Sequence, residues 1–214
     1  ALRPIAAGET IRRVGAKILA ARFAKRFRLV LVPSGQIGVA VSSGLEALAS
    51  WCRQSAAVMG EDEVIAKIDC RNAFNSTYRS AMAEAVLANV PEIGRYVAAA
   101  YGAPSLLFVG DTTISSEVGA QQGDPLGPVL FSLAALKCTM LPDALRLKLR
   151  GCGWYLDDGL LMGPAEDVLN ALRHIREKGE SIGLQMNVSK TEILGRDRGV
   201  WEGERMGGFP GGKG

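Results

Sequence analysis

Histidine is nearly absent from this chain of 214 residues, His174 being the only one. The four cysteines, Cys52, Cys70, Cys138 and Cys152, form no C-x-x-C pair. One imidazole and scattered thiols disfavour a Cys/His zinc site and a disulfide framework alike. Long apolar runs are also lacking. The nearest approach to a membrane span, around residues 126–136, is broken by Gly127 and Pro128 and falls short of the roughly 18 residues a span needs. Basic residues interrupt the N-terminus too often for a secretory signal. These absences point to no membrane partner and to an intracellular setting, cytoplasmic or nuclear, where thiols stay reduced. The first residue is Ala1 rather than Met, so a piece of something longer is expected. What remains is a globular profile, 48% apolar and 22% charged, with material for one domain or a domain and a half.

The net charge is only +3, but it is unevenly spread. Residues 1–30 hold eight basic side chains against Glu9 alone, a surplus of seven, which leaves −4 for the rest. Such asymmetry hints at a nucleic-acid or membrane contact at one end. A solvated helix surface would look the same on charge alone.

Along the chain, Ile11, Val14 and Ile18 make an apolar stripe with helical spacing, predicting a helix to about Arg22. Residues 30–32 read as a short strand or loop edge, and Ser42-Ser43-Gly44 opens a helix to Ala57. Residues 64–69 read as a β-branched strand ending on Asp69. Helices are expected at about 76–89 and 92–101, and Gly110-Asp111 marks a hairpin. A loop crowded with Gly and Pro, residues 119–128, precedes an apolar helix from Val129 to Leu141. A second hairpin bends at Asp157-Asp158-Gly159. A helix then runs from Pro164 to Gly179, and residues 184–194 form the last patterned segment. Strands and helices mix without strict alternation, which favours α+β over a doubly wound sheet.

Three features carry chemistry. Adjacent acids in a half-buried turn, Asp157 and Asp158, repel each other and lose hydration, a situation that calls for a compensating cation. Asp69 is the natural third carboxylate. Hard oxygen ligands suit Mg²⁺, which takes one or two carboxylates and completes its shell with water and phosphates. Two such ions about 3.5–4 Å apart serve phosphoryl transfer. Yet Asp-Gly is also a favoured turn pair. The Gln122–Pro128 segment, with its glycines, lets backbone approach a flat ligand; it also reads as an elaborate helix start. A turn after Asp69 would bring Phe74 back beside the acids, though such a ring is more often core.

Taken in order, these residues resemble a reverse transcriptase, an RNA-directed DNA polymerase, most closely the non-LTR (LINE-type) retrotransposon group. Residues 68–75 look like the first palm motif, residues 122–128 (Q-G-D-P-L-G-P) like the second, Tyr155-Leu156-Asp157-Asp158 like the Y-x-D-D box, and residues 187–191 like the motif that follows. The resemblance covers about residues 1–195. It implies a right-hand polymerase palm, an antiparallel sheet backed by helices, with a partial fingers region. It implies RNA-templated transfer of dNMP to a primer 3′-hydroxyl, with Asp69, Asp157 and Asp158 as metal ligands for two Mg²⁺ (or Mn²⁺) ions and Lys190 assisting pyrophosphate departure. Arg3, Phe74, Gln122 and Gly123 would meet the nucleotide, Phe74 as a gate against the 2′-hydroxyl. Arg12, Arg13, Lys17, Pro125 and Tyr155 would meet template or primer. The partners are an RNA template, a DNA or RNA primer and dNTPs.

The expected division is partial fingers over 1–63, palm over 64–196 with a fingers-side insert around 76–118, and a disordered Gly-rich tail over 197–214. After Lys190 no primer-grip motif is recognised in the remaining residues, and no thumb is expected within them. The rival readings are an inactive nucleic-acid-binding remnant of a retroelement polymerase and an RNA-dependent RNA polymerase. A bulky Phe74 speaks against the second.

Overall fold

A computed structural model describes residues 8–121, 123–196 and 199–202. Its centre is a five-stranded antiparallel sheet built from β1 (Glu63–Ile68), β5 (Gly151–Tyr155), β6 (Asp158–Pro164), β8 (Glu192–Gly195) and β9 (Gly199–Glu202), in the order β5-β6-β1-β8-β9. Two smaller ladders, β2 (Cys70–Arg71) with β7 (Gln185–Met186) and β3 (Ser105–Val109) with β4 (Thr112–Ser116), lie outside it. The helices are α1 (Thr10–Arg22), α2 (Ala24–Leu31), α3 (Gly44–Ala57), α4 (Ala73–Ser76), α5 (Arg79–Asn89), α6 (Gly94–Tyr101), α7 (Gly127–Thr139), α8 (Asp143–Arg146) and α9 (Ala165–Glu180). This is the expected α+β palm, an antiparallel sheet backed by helices.

Strand alternation explains the layering. On β1, Ala66 and Ile68 belong to a core shared with Phe131, Ala135 and Cys138 of α7 and with Val168, Leu172 and Ile175 of α9. Ile65 faces the other way, with Met59, Met162 and Trp51 of α3. The sheet is therefore sandwiched between α3 and the α7–α9 pair. Ten of the thirteen residues of α7 are buried, as a helix that is apolar all round requires. Its second face meets a separate core with Phe27, Met82, Val86, Val97 and Tyr101 from α2, α5 and α6. One helix thus joins the sheet to the N-terminal helices.

Two expectations need correction, and the apolar stripe of α1 is found exposed. Residues 30–32 are no strand but the end of α2 and the start of a 3₁₀ turn, Val32–Ser34; a short apolar run does not by itself distinguish strand from helix. The stripe on α1 does not face the core: Ile11, Val14 and Ile18 are 87%, 51% and 59% exposed. The helix docks instead through Ala16 and through polar contacts of Arg12. Within the expected tail, Gly199–Glu202 forms β9, paired antiparallel with β8. Pairing with β8, not local composition, makes that segment a strand. The remainder of that tail lies outside the described residues. Among those described, no helix is long and apolar enough to cross a membrane.

Candidate active site

Asp69 follows the last residue of β1, the middle strand of the sheet. The neighbouring strands β5 and β6 are joined by a two-residue loop, Leu156-Asp157, with Tyr155 paired to Asp158 across its base. Ile68 is paired with Gly159. That register brings Asp69 to the same sheet edge as the Asp157-Asp158 bend, although the acids are 88 positions apart in sequence. The Cys70 thiol senses all three: burial raises its pKa most, and the carboxylates of Asp157, Asp69 and Asp158 raise it further. Asp69 and Asp157 are half-buried, while Asp158 is exposed.

The segment after β7 closes on Asp69. Asn187 donates its side-chain amide to Asp69 Oδ2 at 2.8 Å, and its backbone N–H donates to the Asp69 carbonyl at 2.8 Å. Ser189 donates its hydroxyl to Asn187 Oδ1 at 2.9 Å, fixing the amide's direction. Asp69 is thus aimed by a buried asparagine of the 187–191 motif, to which the motif's resemblance assigns no role. Lys190 stands exposed on the turn that Asn187 anchors, its N–H donating to the Asn187 carbonyl at 3.0 Å. No group of three His, Cys, Asp or Glu side chains able to hold a metal ion occurs among the described residues. Two half-buried carboxylates on one edge still fit a hard cation such as Mg²⁺, which draws its other ligands from water and phosphate.

After Asp69 the chain makes two residues of strand, turns at Asn72 with φ of +44°, and enters α4. Phe74 is thereby brought back over the core, stacked on Phe131 with centroids 4.6 Å apart, and half-buried. The second loop motif lies directly beside it, since the Ala120 N–H donates to the Phe74 carbonyl at 2.8 Å. Within that loop Gly123 is exposed and Pro125 half-buried. Gln122 and Arg3 lie outside the described residues. Tyr155, half-buried at the end of β5, flanks the acidic bend.

The loop has an unexpected anchor, Asp124. Its side chain is 4% exposed and takes Arg12 Nη2 at 3.3 Å, the Tyr101 hydroxyl at 2.6 Å and the Leu126 N–H at 2.9 Å. The Arg12 guanidinium lies 4.9 Å from the Tyr101 ring centroid. Tyr96 donates its hydroxyl to the Arg12 carbonyl at 2.7 Å. Arg12 therefore ties α1 to the loop, while Arg13 and Lys17 remain exposed. Burial and the Asp124 hydrogen bond both raise the Tyr101 pKa, so the phenol keeps the proton it donates. Removing Asp124 would orphan a buried hydroxyl and a half-buried guanidinium. Asp124→Ala is expected to lower unfolding free energy by about 2–4 kcal/mol, read from a urea melt; a loss below about 0.5 kcal/mol, the level of an ordinary surface change, would refute the anchor.

Comparison with known proteins agrees with this architecture. The family model for reverse transcriptase (RNA-dependent DNA polymerase) matches residues 1–201. The retrotransposable element SLACS 132 kDa protein of Trypanosoma brucei gambiense is 30% identical over 142 residues, 61% of this chain and 12% of that protein. The retrovirus-related Pol polyprotein from type-1 retrotransposable element R2 of Bradysia coprophila is 29% identical over 211 residues, 90% of this chain and 23% of that protein. The chain thus spans a quarter or less of these relatives' length. Among solved structures, apo telomerase from Candida tropicalis superposes with a TM-score of 0.62 at 10% identity, over 86% of this chain and 37% of that one. Telomerase from Candida albicans, in complex with a fragment of telomeric RNA, gives 0.57 at 13% identity over 87% and 34%. At such identities these two likenesses concern the fold alone. The two retrotransposon relatives support the LINE-type reading, and the chain belongs to the reverse transcriptase (RNA-dependent DNA polymerase) family.

Proposed function

We propose that this chain catalyses RNA-templated addition of deoxynucleotides to a primer 3′-hydroxyl, with Asp69 and Asp157 as the metal-holding carboxylates and Asp158 in support. The observation that carries the reading is the convergence of Asp69, at the end of the middle strand, with the Leu156-Asp157 bend on one sheet edge. Two Mg²⁺ ions bound there would supply Lewis-acid stabilisation of the attacking and leaving oxygens. Asn187 keeps the Asp69 carboxylate in one orientation. Lys190, on the turn beside it, offers positive charge to the departing pyrophosphate. Phe74 limits space at the sugar, Gly123 meets the nucleotide, and Pro125 and Tyr155 meet the template or primer. Exposed Arg13 and Lys17 take template phosphates, the sequence-independent part of affinity; Arg12 acts there through its hold on Asp124. Residues 8–63 then form the fingers side and 64–196 the palm, in a protein acting in the cytosol or nucleus.

Template and sugar selection test the substrate class. Wild type should extend a primer on RNA with dNTPs and discriminate strongly against rNTPs. Phe74→Ala should narrow that preference by about 100-fold, the scale of a steric pocket. Unchanged dNTP-over-rNTP preference would refute the gate, and efficient rNTP use by wild type would turn the reading toward an RNA polymerase.

A further inference from the structure

Residues 35–38 run alongside β5 as an extra edge. The Trp154 N–H donates to the Gly35 carbonyl, and the Ile37 N–H to the Trp154 carbonyl, each at 2.9 Å. Between them sits Gln36, 1% exposed and bridged in parallel to Trp154. Its side chain does not pack on the strand but reaches the acidic bend. The Leu156 N–H donates to Gln36 Oε1 at 2.9 Å, and Gln36 Nε2 donates to the Leu156 carbonyl at 3.0 Å. The Gly38 N–H donates to the same Oε1 at 2.9 Å. One buried amide therefore holds both backbone groups of the residue immediately before Asp157.

Leu156 needs holding. Its φ is +58°, a left-handed conformation that a branched side chain adopts at a strain of about 1–3 kcal/mol. Two-residue hairpin loops usually place Gly, Asn or Asp at such positions. The grip requires an acceptor and a donor on one planar group: an ionised carboxylate lacks the donor, and Lys or Arg the acceptor. The approach is close as well, since a Cβ on Gly38 would lie 2.6 Å from the Leu156 nitrogen.

We propose that Gln36 is a positioning residue for Asp157: by clamping Leu156 it holds the bend in its strained form and so fixes where the Asp157 carboxylate points. This rests on the reading of Asp157 as a metal-holding carboxylate. In the full chain, Gln36→Met, Gln36→Glu and Asp157→Asn separate the two ideas. The readouts are hydrogen exchange of the Leu156 amide by NMR, Mn²⁺ binding by electron paramagnetic resonance, and the kcat and KM of primer extension.

Gln36→Met should speed Leu156 exchange and weaken Mn²⁺ binding, each by about 10-fold, the effect typical of losing a ligand's orienting partner. Its kcat should fall by about 10–100-fold while the KM for dNTP changes little. Gln36→Glu keeps the acceptor for both amides and should lose less than Gln36→Met. A merely space-filling residue would rank the two in reverse, because Met suits a dry site better than a carboxyl. Should Gln36→Met fail to fold, Gly38→Ala, which wedges the segment off Leu156, should give the same faster exchange and weaker Mn²⁺ binding. Wild-type exchange and Mn²⁺ affinity in Gln36→Met, or in Gly38→Ala where Met does not fold, would overturn the clamp. Wild-type Mn²⁺ affinity and extension in Asp157→Asn would overturn the underlying reading instead.

Discussion

Truncating Trp154 to Ala is expected to destabilise the chain by about 3–5 kcal/mol, the range for removing a large buried aromatic side chain. The indole is 1% exposed and lies in the core shared by β1, β6, α7 and α9. It sits opposite Gly159 in the hairpin register, and a Cβ on Gly159 would run into its six-membered ring. The glycine after the two acids therefore makes room for the indole as well as serving the bend. Trp154 also supports the 35–38 segment through both of its backbone groups. Its loss removes packing directly beneath the acidic bend. A thermal melt should fall by about 10 °C, given roughly 2–4 °C per kcal/mol for a chain of this size. A shift below about 2 °C would show that the neighbours collapse into the space or that the core does not depend on this ring.

The three acids should not be equivalent. Asp69→Asn and Asp157→Asn are each expected to lower kcat by roughly 10³-fold, since a bound metal supplies several kcal/mol of transition-state stabilisation. Asp69 is half-buried, oriented by Asn187, and placed by the end of β1. Asp157 is half-buried at the tip of the bend. Asp158 is exposed and belongs to the strand ladder, paired with Tyr155. A charge in water about 4 Å from its target contributes about 1 kcal/mol, so Asp158→Asn should lose only about 5-fold. Single-turnover kinetics would give the ranking. Equal losses at Asp69 and Asp158 would mean that Asp158 is itself a ligand.

Local chemistry explains what was legible in the sequence. A β-branched run leading to Asp69, an Asp-Asp-Gly bend between apolar flanks and a Gly- and Pro-rich loop before an apolar helix are patterns of neighbours, and each marks its element, although β1 stops at Ile68 and α7 already begins at Gly127. The supports of the site are not local. Gln36 meets Leu156 across 120 positions, Arg12 meets Asp124 across 112, and Asn187 meets Asp69 across 118. Nothing near Gln36 in sequence distinguishes it from a polar residue in a loop; only the arrival of β5 beside it gives its amide a task. The exposed stripe of α1 teaches the same lesson in reverse. Its spacing identified the helix correctly, but the docking face is chosen by Arg12, Ala16 and their distant partners. Periodicity reports the element, and tertiary contacts decide which side is buried.

The central claim is that the Asp69–Asp157 edge is a working polymerase centre. Its most direct test is primer extension on an RNA template with dNTPs and Mg²⁺, using folded wild type beside folded Asp157→Asn. The account predicts extension by wild type that Asp157→Asn abolishes within the assay's range. Primer–template binding without extension by wild type, or extension equal in the two proteins, would contradict it.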